Sequence, residues 1–155
     1  MPPLGFDTLQ ALCQRHELPH KANLDSGQIA ILHRILDHDA PLYAVPRTGR
    51  GVVAFVLPLP FRVPAERAAA IGEAIARLNA AAALVAWVLD AATGELAVRV
   101  ALPVHGAAYD DDGVLFVLRV IASAAAAAAA DLQQIALAGK ASFELWPRPA
   151  SVPVG

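Results

Sequence analysis

The chain of 155 residues is long enough for one domain and apolar enough to fold around a sizeable core. Hydrophobic residues make up 57% of it and charged residues 17%, which excludes disorder over the whole chain. With 12 basic and 14 acidic side chains, its net charge of −2 argues against direct binding of nucleic acid. Its single cysteine, Cys13, excludes an internal disulfide and a cysteine-rich zinc site.

The sequence shows no targeting signal, because residues 1–7 lack a basic start followed by an apolar run. The one candidate for a membrane span is the apolar stretch 114–130. There Arg119 offsets the strong apolar residues, and alanine adds little. We therefore expect a buried helix rather than a membrane contact. An unpaired cysteine and no secretory signal predict a cytoplasmic location.

The first half of the chain predicts one helix followed by three strands. Residues 6–17 place their apolar side chains on one helical face, and residues 18–27 have the composition of a loop. Residues 28–36 favour a strand, although two isoleucines four apart leave a helix as the alternative. Further strands are predicted at 42–45 and 52–59, the last ending at prolines that cannot donate to a ladder.

The second half predicts a helix, a hairpin of two strands and a long final helix. Residues 64–79 form the clearest amphipathic pattern, with Pro64 suited to a first helical position. Strands are predicted at 85–90 and 96–102, joined by a loop in which Gly94 adopts a left-handed conformation. The aspartates at 110–112 then cap a helix that runs to about Ala138.

No group of residues in the sequence has the composition and spacing of a catalytic, cofactor or metal site. His33 and His38 flank Asp37 and Asp39, but a solvated turn explains this cluster better than a metal site. The aspartates at 110–112 lack the spacing of a calcium loop and suit a helix start. The sequence therefore predicts a protein that is not an enzyme and holds no cofactor.

Three stretches in the middle of the chain are similar to a known family. Residues 56–64, Val-Leu-Pro-Leu-Pro-Phe-Arg-Val-Pro, resemble the strand-to-helix passage of YbjN proteins. Residues 77–79, Arg-Leu-Asn, resemble the end of their helix, and residues 88–99 resemble their hairpin with its aspartate, glycine and arginine. The order of elements also resembles the small dimeric chaperones of type III secretion. This resemblance implies an α+β fold, dimerisation, protein binding and no established catalytic residues.

We therefore expect one α+β domain over residues 1–139, with the order helix–three antiparallel strands–helix–two strands–helix and a type III secretion chaperone-like fold. Residues 140–155 are expected to form an ordered, proline-rich tail. The predicted function is that of a non-enzymatic chaperone-like or regulatory protein that, as a homodimer, binds a flexible segment of another protein. A regulatory domain that senses a small molecule is the alternative.

Two patterns carry the expectation of a homodimer and of a partner surface. Residues 52–59 and 84–89 are apolar on both faces of their strands, yet a single layer of helices covers only one face of a sheet. The final helix also carries two apolar stripes. Three residues are candidates for contact with the partner protein. Trp87 is expected on the outward face, with burial in the dimer interface as the alternative. Arg99 is expected on the polar face of the next strand, and Trp146 in the tail, where it either docks in the partner groove or completes the core.

Overall fold

The computed structural model describes residues 3–138 of the chain. It has three α-helices, which are α1 (Phe6–Arg15), α2 (Ala68–Ala81) and α3 (Asp111–Ala138). Its strands are β1 (His20–Asn23), β2 (Gln28–Ile31), β3 (Arg34–Ile35), β4 (His38–Asp39), β5 (Leu42–Arg47), β6 (Val52–Arg62), β7 (Ala86–Asp90) and β8 (Glu95–Pro103). Trp146 and the tail predicted to be ordered lie outside the described residues.

Six of the strands form one antiparallel sheet in the order β1-β2-β5-β6-β8-β7. The two short strands β3 and β4 pair separately as a hairpin between β2 and β5. The long strands β6 and β8 lie inside the sheet, while β1 and β7 are its edges. The predicted α+β class is thus confirmed, with more strands than the five expected.

The added strands lie where the sequence predicts a loop and a turn. Residues 18–27 contain β1, which pairs with β2 from His20 opposite Ile31 to Asn23 opposite Gln28. The prediction of a continuous loop was wrong because β1 is polar and lies at the edge of the sheet. The alternatives at 28–36 are settled in favour of strands, since β2 and β3 both lie there.

Strand β6 continues three residues beyond its predicted end at Leu59. Strand β5 pairs only with Val52–Val56, so Pro58 and Pro60 lie beyond that ladder. Strand β8 follows β6 further, with a register irregularity between Pro58 and Arg62. The prolines therefore disturb the pairing locally without ending the strand.

The core lies between one face of the sheet and the three helices. Alternate residues of β6 (Val53, Phe55 and Leu57) are no more than 1% exposed, and α3 packs against β6 and β8. The inward face of α3 contributes residues that are each no more than 5% exposed: Val114, Val117, Leu118, Ile121, Ala125, Ala128, Ala129, Leu132, Ile135 and Ala136. All of these side chains belong to one cluster, which α1 and α2 complete.

Candidate functional site on the uncovered sheet face

The second face of the sheet carries mostly small and apolar side chains. Because strand residues alternate between faces, the residues opposite the core share this surface. In β6 and β8 they are Val52, Ala54, Val56, Pro58, Ala97, Arg99 and Ala101. Ala54 and Ala97 are buried yet stand outside the core cluster, because larger neighbours on this face shield their short side chains. We call this surface the open face.

The pairing registers align one row of side chains across all six strands of the open face. In order from β1 to β7, the row consists of Lys21, Ala30, Tyr43, Val56, Arg99 and Ala86. Adjacent strands are about 4.8 Å apart, so the backbones of Tyr43 and Arg99 are separated by about 10 Å. A phenol and a guanidinium therefore stand on either side of Val56 near the middle of the sheet.

Arg99 is the charged residue nearest the centre of the open face. It is half-buried, and the structure gives it no hydrogen bond or ion pair within residues 3–138. The carboxylate of Glu95 lies on the same strand and face, but its Oε2 is 3.8 Å from a guanidinium nitrogen of Arg62. Burying a cation beneath a bound partner costs free energy unless the partner supplies an anion or a hydrogen-bond acceptor. Arg99 therefore favours a ligand that brings such a group.

A trough of about 510 Å³ crosses part of the open face. Its lining combines apolar side chains with a few polar ones: Gln28, Tyr43, Val45, Val56, Pro58, Arg62 and Glu95. The trough runs over several strands and is open to solvent along its length. This shape suits an extended chain lying across the sheet better than a small molecule, which needs an enclosed pocket.

The structure places Trp87 in the core and not on the open face. Trp87 is 4% exposed, whereas its neighbour Val88 is 41% exposed and points to the opposite side. The expectation that Trp87 faces outward was wrong, because in β7 the larger side chain turns towards the helices. Of the three predicted contact residues, the structure leaves Arg99 on an accessible surface, and Trp146 lies outside the described residues.

Asn79, at the end of α2, makes a contact that the sequence did not assign. Its Oδ1 accepts a hydrogen bond of 2.7 Å from the Trp87 N–H, and its Nδ2 donates one of 3.0 Å to the Trp87 carbonyl. The resemblance at residues 77–79 pointed to this asparagine, but not to its role. Its amide fixes the edge strand β7 to the helix layer.

A second polar cluster joins the end of α1 to the start of α3. The carboxylate of Asp111 accepts bonds from Arg15 at 2.8 and 3.1 Å and lies 2.8 Å from the Nε2 of His16. The Arg15 guanidinium, and then His16, lower the pKa of Asp111 to about 2. A cleft of about 490 Å³ lies beside this cluster. Since Asp111 is already paired, the cluster is suited to holding the two helices together.

The remaining candidates from the sequence, the cysteine and the histidine–aspartate group, do not form a cluster in the described part of the chain. Cys13 is buried, and its burial raises the pKa of the thiol, which makes it a poor nucleophile. His33 and His38 lie on the β3–β4 hairpin, where Arg34 pairs with Asp39 at 3.2 Å. Over residues 3–138, no three His, Cys, Asp or Glu side chains are grouped as a metal site requires.

Helix α3 is long and apolar enough to cross a membrane, because an 18-residue window within Asp111–Leu137 has a mean hydropathy of 2.0. Its inward face is packed into the core, and 39% of that window is buried. The outward side between Phe116 and Leu137 is also mostly apolar, with Arg119 as its one charged residue among the exposed positions. Phe116 is 58% and Leu137 74% exposed, so this side is a second uncovered apolar surface.

An antiparallel six-stranded sheet with three helices packed on one face, in the described part of the chain, defines an α+β protein. The family model for YbjN, described as "Putative bacterial sensory transduction regulator", matches residues 6–134. The chain therefore belongs to the YbjN family. No curated protein matches it.

A solved structure has the same fold. The crystal structure of YbjN from E. coli, described as "a putative transcription regulator", superposes with a TM-score of 0.62 at 15% sequence identity. The match covers 82% of this chain and 92% of that one. At this identity the likeness establishes the fold alone. The expected likeness to type III secretion chaperones is not tested by these comparisons and stays a prediction.

Proposed function

We propose that this YbjN-family protein is a non-enzymatic regulator that binds an extended segment of another protein on its open face. The observation that carries the proposal is a sheet face that no described helix covers, with mostly small apolar side chains on its central strands β6 and β8. Near its centre lies Arg99, which has no hydrogen bond or ion pair within residues 3–138. Monomeric proteins rarely expose large continuous apolar patches unless a partner covers them. The family description as a regulator agrees with such a role.

An extended peptide fits this surface for two reasons. Its alternating side chains match the spacing of a flat sheet face, and its main chain offers carbonyl oxygens to Arg99. The alternative, a domain that senses a small molecule, requires a pocket that encloses its ligand. The trough on the open face is broadly open to solvent, which favours the peptide at this surface.

The homodimer expected from the sequence finds its best support on the other side of the molecule. The outward side of α3 offers Phe116, Leu137 and several alanines between them, over about 32 Å of helix at 1.5 Å per residue. Small side chains allow two helices to approach closely. We place a second copy on this side of α3, which leaves both open faces free for partners. A cytoplasmic location agrees with this arrangement and stays a prediction.

Capture experiments in the native cell test the partner proposal. The wild-type protein, Arg99→Glu and Arg67→Glu are expressed at equal levels, and captured proteins are quantified by mass spectrometry. Arg67 is also a half-buried arginine, but it lies at the start of α2 on the helix side. We expect a partner that Arg67→Glu retains and Arg99→Glu loses. Equal capture by both variants would place the binding surface elsewhere.

Light scattering tests the dimer. We expect a mass of twice 16.2 kDa for the wild type at micromolar concentration. Phe116→Asp is expected to give a monomer, because it places a charge in the contact. Leu24→Asp serves as the control, since Leu24 is 81% exposed in the turn between β1 and β2. A wild-type mass near that of one chain would refute the dimer.

A further inference from the structure

We propose that residues 143–146 of this same chain compete for the open face, with the Glu144 carboxylate bound to the Arg99 guanidinium. The protein would then regulate its own binding surface, because a partner must displace its C-terminal segment. This inference rests on the proposed function in that both use the open face. The two proposals differ in what binds the open face: a segment of another protein in the proposed function, and a segment of this chain here.

The first argument is charge complementarity. Arg99 has no ion pair within the described residues, although it stands half-buried among apolar side chains. In residues 139–155, Glu144 is the one carboxylate side chain. A bidentate arginine–carboxylate pair is among the strong hydrogen-bonded contacts, and the apolar surroundings strengthen it. The segment thus supplies the group that Arg99 lacks.

The second argument is the pattern of apolar residues around Glu144. Phe143, Leu145 and Trp146 are its immediate neighbours in the sequence. In an extended chain Glu144 and Trp146 point to the same side, about 7 Å apart. A carboxylate and a large aromatic ring would therefore meet the sheet together. The row with Arg99, Val56 and Tyr43 presents the matching cation and apolar surface.

The third argument is the length of chain available. Five residues lie between Ala138, where α3 ends, and Glu144, and these six steps span up to about 20 Å when extended. This length exceeds the spacing of about 10 Å between packed layers of secondary structure.

A second copy is a poorer occupant of the centre of the open face. Two open faces in symmetric contact present the same residues to each other. Arg99 would then approach a surface whose central row carries the cations Lys21 and Arg99 and no carboxylate. Glu95 lies towards one end of β8, where Arg62 is already its partner at 3.8 Å. The apolar segment around Glu144 meets the charge requirement without this repulsion.

Tryptophan fluorescence of the full chain tests the inference. The two tryptophans are Trp87, which is buried, and Trp146, so quenching by acrylamide reports mainly on Trp146. We expect weak quenching in the wild type. Arg99→Glu and Glu144→Arg should each lower the docking equilibrium about tenfold or more and raise the quenching. The charge-swapped double variant should restore the wild-type value, while Arg67→Glu should leave it unchanged.

The double variant separates a specific pair from a loss of structure, because a damaged fold is not repaired by a second substitution. Circular dichroism of each variant confirms that the helices and strands are retained. Equal quenching in the wild type and both single variants, or failure of the double variant to restore protection, would overturn the proposal. Quenching that rises on dilution would also overturn it, because the segment would then be docked on another copy.

The outcome is independent of the capture experiment. Docking of the segment is measured on the isolated protein and needs no partner. If the charge swap fails while capture still depends on Arg99, the self-docking is wrong and the proposed function stands. If the swap succeeds and no partner depends on Arg99, the proposed function falls. If both hold, Glu144→Gln is expected to increase partner capture.

Discussion

The carboxamide of Asn79 binds both main-chain groups of Trp87. Its Oδ1 accepts from the Trp87 N–H at 2.7 Å, and its Nδ2 donates to the Trp87 carbonyl at 3.0 Å. Strand β7 is an edge strand, so these groups would otherwise be open to pairing with another chain. Asn79 therefore occupies the middle of this edge and opposes the addition of another strand at Trp87.

Replacing Asn79 tests the energetic value of this contact. Asn79→Ala removes two hydrogen bonds and leaves two main-chain groups of Trp87 without a protein partner. We expect the free energy of unfolding to fall by about 2 kcal/mol in urea denaturation. Gln14→Ala is the control, because Gln14 is an exposed helical amide on α1. Equal stability of the two variants would show that water replaces Asn79 without cost.

Replacement by alanine should affect stability very differently at the neighbouring residues Trp87 and Val88. Trp87 is 4% exposed and belongs to the core cluster, so Trp87→Ala should cost about 3–5 kcal/mol of unfolding free energy. Val88 is 41% exposed on the open face, so Val88→Ala should change stability little. Thermal denaturation of both variants measures this difference. A small effect at Trp87 would contradict its placement in the core.

The contrast between Trp87 and Arg99 shows how far sequence reasoning reaches. Alternation in β8 correctly predicts Arg99 opposite the core, because Leu96, Val98 and Val100 fix the inward set. In β7 the sequence leaves both faces apolar, so only the packing of α2 decides which set turns inward. The role of Asn79 was also beyond prediction, since it depends on how the end of α2 meets β7.

Two glycines predict opposite effects of an added methyl group. Gly94 has a φ of +76°, and a Cβ there would lie 2.5 Å from the Val63 carbonyl oxygen. Gly94→Ala should therefore destabilise the protein by more than about 1 kcal/mol. Gly72 lies inside α2 with open space around it, so Gly72→Ala should stabilise by about 0.5–1 kcal/mol. Urea denaturation of the two variants measures the change in the free energy of unfolding for each. A loss of stability in both variants would contradict this account.

The strands that sequence reasoning missed share a physical cause. β1 has one polar side and pairs only with β2, so its residues resemble those of a loop. β3 and β4 are two residues each, joined by Leu36 and Asp37, which both have positive φ. Such short strands lack the periodicity on which the longer strands and helices were predicted. The long elements, by contrast, were predicted in the right order because burial imposes a clear pattern over many residues. Their ends were less accurate, since α2 begins at Ala68 and not at Pro64, and β6 ends at Arg62 and not at Leu59.

The contact between Arg15, His16 and Asp111 predicts a defined dependence of stability on pH. Hydrogen bonds from Arg15, and then His16, lower the pKa of Asp111 from 3.8 to about 2. A lowered pKa means that the native state binds this proton less readily than the unfolded state. The stabilisation by Asp111 is therefore complete above about pH 4 and is lost as the pH falls towards 2.

Substitution of Asp111 should reduce this part of the acid sensitivity. We expect Asp111→Asn to be less stable than the wild type at pH 6, and the difference to shrink steadily between about pH 4 and pH 2. Urea denaturation at a series of pH values measures both proteins. Asp112→Asn is the matched control, because Asp112 lies one residue along α3 and makes no ion pair in the described part of the chain. A difference between wild type and Asp111→Asn that stays constant down to pH 2 would show that the carboxylate charge of Asp111 does not stabilise the fold. The position of α1 beside the start of α3 would then depend on apolar packing, to which the buried Leu12 and Val114 contribute.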